Sequence, residues 1–86
     1  MARDRLELEK VWVIAAKRLN NSVNGNPRWD VTFTDGDLGS WTYITSSDSM
    51  CNYDVENLLR SKDLVDVYVT RADRVCRIER RKVPFS

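Results

Sequence analysis

The spacing of hydrophobic and polar residues changes period several times along the chain. Near the start, Leu8, Val11, Trp12, Ala15 and Leu19 recur at helical spacing. Val11-Trp12-Val13-Ile14, in contrast, is a β-branched and aromatic block of the kind that fills strands. The block predicts a strand from Leu6 or Glu9 to Lys17. Apolar on both faces, it suits a central strand or a long bent strand that serves two sheets. Asn20 to Pro27 brings asparagines, Gly25 and Pro27 together, a loop signal: Asn and Gly accept positive φ and Pro lacks a ladder donor. Arg28 to Thr34 then alternates cleanly. Trp29, Val31 and Phe33 fall on one face and Arg28, Asp30, Thr32 and Thr34 on the other. Asp35-Gly36 opens a hairpin turn, and Trp41 to Thr45 forms the third strand.

Ser46-Ser47-Asp48 offers several helix N-caps, and Asp48 also suits the positive end of a helix dipole. Met50, Cys51, Val55, Leu58 and Leu59 predict a short helix from about Ser49 to Leu59, with Tyr53 near its edge. The basic Arg60-Ser61-Lys62 ends it. From Leu64 to Thr70, Val65, Val67 and Val69 point inward. After a tight turn at Ala72-Asp73-Arg74, Val75 to Arg80 places Cys76 and Ile78 opposite Arg77 and Glu79. Residues 80–86 read as a basic, frayed tail. The order is β-β-β-α-β-β, mainly β with one short helix, in a single domain over residues 1–86. It predicts a small β-barrel, OB-like or, as the alternative, SH3-like.

Charge refines this picture. Fourteen Lys and Arg against thirteen Asp and Glu leave +1. Residues 1–29 carry six bases and three acids, residues 30–66 two bases and eight acids, and residues 67–86 six bases and two acids. Such segregation predicts basic ends gathered opposite an acidic middle. The longest unbroken apolar run, Val11 to Ala16, is far short of the ~18–20 residues of a membrane span. The charged Arg3-Asp4-Arg5 start predicts no secretory leader. Cys51 and Cys76 lack CxxC spacing and read as small buried hydrophobes in a reducing compartment.

The run Asn21-Ser22-Val23-Asn24-Gly25-Asn26-Pro27-Arg28 resembles a group of small, functionally uncharacterised proteins encoded by tailed bacteriophages of actinobacteria. The resemblance continues through Val31-Thr32-Phe33-Thr34-Asp35-Gly36 and Thr45-Ser46-Ser47-Asp48-Ser49-Met50, with Tyr53, Glu56 and Asn57. It closes at Val67-Tyr68-Val69-Thr70-Arg71. The chain departs from the pattern at Asp37-Leu38-Gly39-Ser40-Trp41, where the turn is longer and a tryptophan enters. The resemblance implies a phage product acting in the cytoplasm of the bacterial host, and it carries over no catalytic residue.

Chemistry-bearing motifs are few. Histidine is absent, and there is no GxSxG, HExxH or Gly-rich phosphate loop. Asp35 and Asp37 mark a hairpin tip, and Asp48, Asp54 and Glu56 fall on different sides of a helix. The expectation is a non-enzymatic binding module without cofactor or metal. Trp41 and Tyr43 are in opposite phase to Ile44 and are expected to point outward. With Tyr68, Arg28, Arg71, Arg74 and Arg77 they make the expected binding set. Trp, Tyr and Arg are the types enriched at interface hot spots, which points to a protein partner, either a bacterial host factor or a second copy in a homodimer. The alternatives are single-stranded nucleic acid, stacked on outward aromatics, and a structural role in the virion. A pI of 7.8 is low for a domain devoted to phosphate neutralisation.

Overall fold

The computed structural model describes residues 4–47 and 49–81. Five antiparallel strands form one sheet in the order β3-β2-β1-β4-β5. They are β1 (Arg5–Arg18), β2 (Trp29–Thr34), β3 (Ser40–Ile44), β4 (Val65–Val69) and β5 (Val75–Arg80). A 3₁₀ turn (Met50–Tyr53) and a short helix α1 (Val55–Ser61) connect β3 to β4. The N-cap expected at Asp48 and the tail beyond Arg81 lie outside the described residues.

The ambiguous first segment is a strand of 14 residues, and it does serve two partners. Its first half pairs with β4, from Arg5–Val69 to Val11–Val65, and its second half with β2, from Trp12–Thr34 to Arg18–Trp29. The handover falls just after Lys10, whose φ of 54° puts a non-glycine residue in the left-handed region, a cost of about 1–3 kcal/mol. Asp66 offsets part of it by accepting the Lys10 N–H at 3.2 Å while its carboxylate holds the Arg81 guanidinium at 2.7 and 2.9 Å.

Bending β1 lets the two halves of the sheet face each other across one core. Val11, Val13, Val31, Phe33, Val55, Leu58, Val65, Val67, Val69 and Val75 are essentially inaccessible. Each such side chain contributes about 1.5–3 kcal/mol by leaving water. The two outermost strands approach at one place. Thr45, just past β3, makes a single parallel bridge to Val75 at the start of β5, where the Ser46 N–H donates to the Val75 carbonyl at 2.7 Å.

Three local expectations change. The predicted continuous helix is instead a 3₁₀ turn followed by α1. Asn52 is buried and donates through Nδ2 to the Ser46 and Ser49 carbonyls at 3.0 and 3.1 Å. Those bonds hold the first turn tight, and Met50 stands 82% exposed instead of facing the core. On β5, Cys76 and Ile78 do not share a face. Tyr68 pairs with Arg77 but Val69 with Val75, so Cys76 is the extra residue of a bulge and Val75 and Ile78 turn inward. Finally, Trp41 and Tyr43 do not point outward. They pair with Phe33 and Val31 and pack against the core, while Ile44 sits opposite Asp30 on the outer face. Because the side-chain period is two, buried Val31 and Phe33 force their cross-strand partners inward.

Candidate binding surface

The sequence-derived set divides among several places. Trp41 and Tyr43 line the inner face, half-buried. The Tyr43 hydroxyl donates to Glu7 Oε2 at 2.7 Å. That bond, helped by burial, pushes the phenol up to about 12. Arg74 lies across a groove of about 340 Å³ from Thr42, Tyr43 and Ile44, with Ala72 and Asp73 completing its wall. Arg71 is exposed in the same β4–β5 turn. Tyr68 and Arg77 form a separate pair on the outer face of β4 and β5, the guanidinium 4.0 Å from the ring centroid. Arg28 precedes β2, at the end of the β2–β3 hairpin away from Trp41. Its buried Nε has no hydrogen-bond partner among the described residues. The structure therefore joins Tyr43 with Arg74 and Tyr68 with Arg77, but it does not assemble one aromatic-and-arginine strip.

The charge layout also differs from the expected polarity. β4 separates β1 from β5, and the basic C-terminal segment is neutralised by the acidic middle. Arg80 holds Asp54 and Asp63 at 2.5 and 2.8 Å, and Arg81 holds Asp66. Arg77 pairs with Glu79 at 3.2 Å, and Arg5 with both Glu7 and Asp73. Bonding to Asp54 and then Asp63 raises the Arg80 guanidinium, and the contact with Arg80 lowers the Asp63 carboxyl. Such exposed pairs add little stability each. Their consequence is that few of these arginines remain free for a phosphate backbone.

A surface missed by the sequence argument lies on the outer side of β1, β2 and β3. Its rows run Trp12-Thr34-Ser40, Ala15-Thr32-Thr42 and Lys17-Asp30-Ile44. Ile14 is the extra residue of a bulge between Val13 and Ala15 and is 42% exposed. Trp12 is half-buried because its ring lies over the hairpin at Gly36. A Cβ there would come within 2.5 Å of the ring, and the local φ of +87° also favours glycine. The Thr32 and Thr42 hydroxyls meet at 3.0 Å. Within these rows Lys17 and Asp30, at the far end, are the charged residues, and Arg28 follows just beyond them. The signal was present in the sequence: once Val11 and Val13 point inward, Trp12 must point out.

The two thiols line a second cleft, of about 380 Å³, with Met50, Asp54, Arg77 and Ile78. Burial is the main influence pushing Cys51 up to about 12 and Cys76 up to about 11. Thiols so held are protonated at neutral pH and are poor nucleophiles. Among the described residues no group of three or more His, Cys, Asp or Glu converges on a metal-sized site, and no helix is long and apolar enough to cross a membrane. Comparison with protein-family models, curated proteins and solved structures finds no match.

Proposed function

We propose that the chain is a non-catalytic protein-binding domain built on an OB-like sheet. The OB-like reading draws support from the bent β1 shared by β2 and β4, the helix between β3 and β4, and the parallel contact of Thr45 with Val75. The observation that carries the functional reading is the contrast between the outer β1–β2–β3 face and the rest of the surface. That face is nearly uncharged and presents Trp12, Ile14 and a cluster of threonines. Elsewhere, Arg5, Arg77, Arg80 and Arg81 are paired with carboxylates of the same chain. A polyanion draws most of its affinity from free Lys and Arg, whereas a protein interface is centred on aromatic and aliphatic anchors with charge held to the rim. The resemblance to actinobacterial phage proteins makes cytoplasmic proteins of a bacterial host, and a second copy of the chain, the first partners to try.

The test uses wild-type chain and Trp12→Ala. Proteins retained from a bacterial lysate by the wild type and lost by the variant, with both chains folded, support the reading. Titration with a single-stranded oligonucleotide at ~50 mM salt provides the opposing arm. Salt-sensitive binding there overturns protein recognition in favour of nucleic acid.

A further inference from the structure

The outward edge of β3 carries a second message. The Thr45 N–H donates to the Trp29 carbonyl at 2.9 Å. In an antiparallel ladder, hydrogen-bonded positions alternate along each strand. Tyr43 and Trp41 therefore direct their backbone groups at Val31 and Phe33 of β2. Ser40, Thr42 and Ile44 direct theirs the other way, away from the sheet. The parallel contact between the two edges begins only at Thr45 and Val75. Ahead of it, β3 runs beside the groove that separates it from Ala72, Asp73 and Arg74. Among the described residues these N–H and C=O groups have no partner, and such a row next to an open groove is a template for another strand.

The side chains of β3 say which strand fits. Ser40-Trp41-Thr42-Tyr43-Ile44 contains no charge, no proline and no bulge. If two β3 strands pair antiparallel about a two-fold axis through Thr42, the residue falls opposite its own copy. Ser40 then meets Ile44, and Trp41 meets Tyr43 on the inner face. No like charges are opposed, and the aromatic cross-strand pair occurs twice, once on each side of the axis. The uncharged outer face would continue across the join, since Thr42 and Ser40 belong to it.

Resting on the protein-binding reading above, we propose that the partner is a second copy of this chain, joined to the first by antiparallel β3–β3 pairing centred on Thr42. The pairing extends one five-stranded sheet into a continuous sheet through the dimer.

Thr42 is exposed, so charge can be placed on the axis with little effect on the core. At ~100 µM, enough to populate a dimer with Kd in the micromolar range, the wild type is expected to sediment at twice its 10.0 kDa chain mass. Thr42→Lys and Thr42→Glu, each placing like charges opposite one another, are each expected to sediment as monomers. An equimolar mixture of the two is expected to recover the dimer. A monomeric wild type, or charge variants that still dimerise alone, overturns the proposal. If the variants do not fold, amide exchange of the wild type decides. The Thr42 N–H is slowed as chain concentration rises if the strands pair, and exchange independent of concentration overturns it. Failure here is distinguishable from failure of the protein-binding reading, because that reading is lost only to oligonucleotide binding or to Trp12→Ala having no effect on capture.

Discussion

Strands β3 and β5 are both outermost in the same sheet, yet only β5 carries the devices that discourage further pairing. Its side chains include Arg77, Glu79 and Arg80, all ion-paired. A bulge at Cys76 breaks its ladder, and the 3₁₀ turn packs beside it, with the Cys51 thiol 3.7 Å from the Val75 carbonyl. Charge, bulge and cover are three separate means by which an edge is blunted. β3 has neither charge nor bulge, and the β4–β5 turn faces it only across a groove. The strand is short, uncharged and rich in the residue types that favour strands. The proposed β3–β3 pairing uses this open edge, which adjoins the outer face containing Trp12.

The contrast can be broken at the point that pins the edges together. Asn52→Ala removes both side-chain bonds that hold the Ser46 and Ser49 carbonyls. Each carbonyl keeps a backbone donor, the Ser49 and Asn52 N–H groups. The loss is that of two ordinary hydrogen bonds, about 1–3 kcal/mol together, so the urea midpoint is expected to fall and the Ser46 N–H to exchange faster. An unchanged midpoint would show that the Thr45–Val75 contact does not depend on this side chain.

Making β5 resemble β3 is the next largest change. Arg77→Thr combined with Glu79→Thr removes two charges and one cation–π contact, at a cost of ~1 kcal/mol or less. Sedimentation is expected to show new association through β5 that persists when Thr42→Lys is added. If the double variant associates no further than the wild type, charge is not what guards that edge.

The smallest effect concerns acid. The Asp63 carboxyl is lowered from its ordinary 3.8 first by Arg80 and then by Ser61. A carboxyl lowered in the folded state stabilises above its unfolded pKa, and that contribution is lost as pH falls through the folded value. Thermal midpoints of the wild type should therefore drop more steeply below pH 3.8 than those of Asp63→Asn. Parallel curves would show that the ion pair at the end of β5 contributes nothing measurable.

Much of the fold was legible because it follows from local periodicity. Alternation at Trp29, Val31 and Phe33 marked β2 and its buried face, and the valines of β4 did the same. The apolar block at Val11 to Ile14 pointed to a central strand or a long bent strand serving two sheets, and β1 is the central strand of one sheet, paired with β4 and β2. The binding surface was less legible. Trp41 and Tyr43 belong to a strand whose alternation conflicts with Ile44, and no local rule chooses the phase. Burial of Phe33 and Val31 chose it, placing the aromatics inward and leaving Trp12 as the tryptophan of the outer face. The charge segments were read correctly as segments but wrongly as faces, since pairing β5 with β4 sets Arg80 and Arg81 against Asp54, Asp63 and Asp66.

By itself, then, the sequence determined the strands after the first segment, which carried helical and strand spacing together, where the chain turns and that the protein lacks the usual catalytic motifs. Those properties depend on neighbours within a few residues: side-chain period, β-branching, and the φ preferences of Gly, Asn and Pro. Only the tertiary structure decided which aromatics face solvent, which charges cancel and which edge stays open. Each of those depends on register and strand order, contacts between residues far apart in the chain, and a one-residue change of register reverses the face on which every side chain of a strand lies.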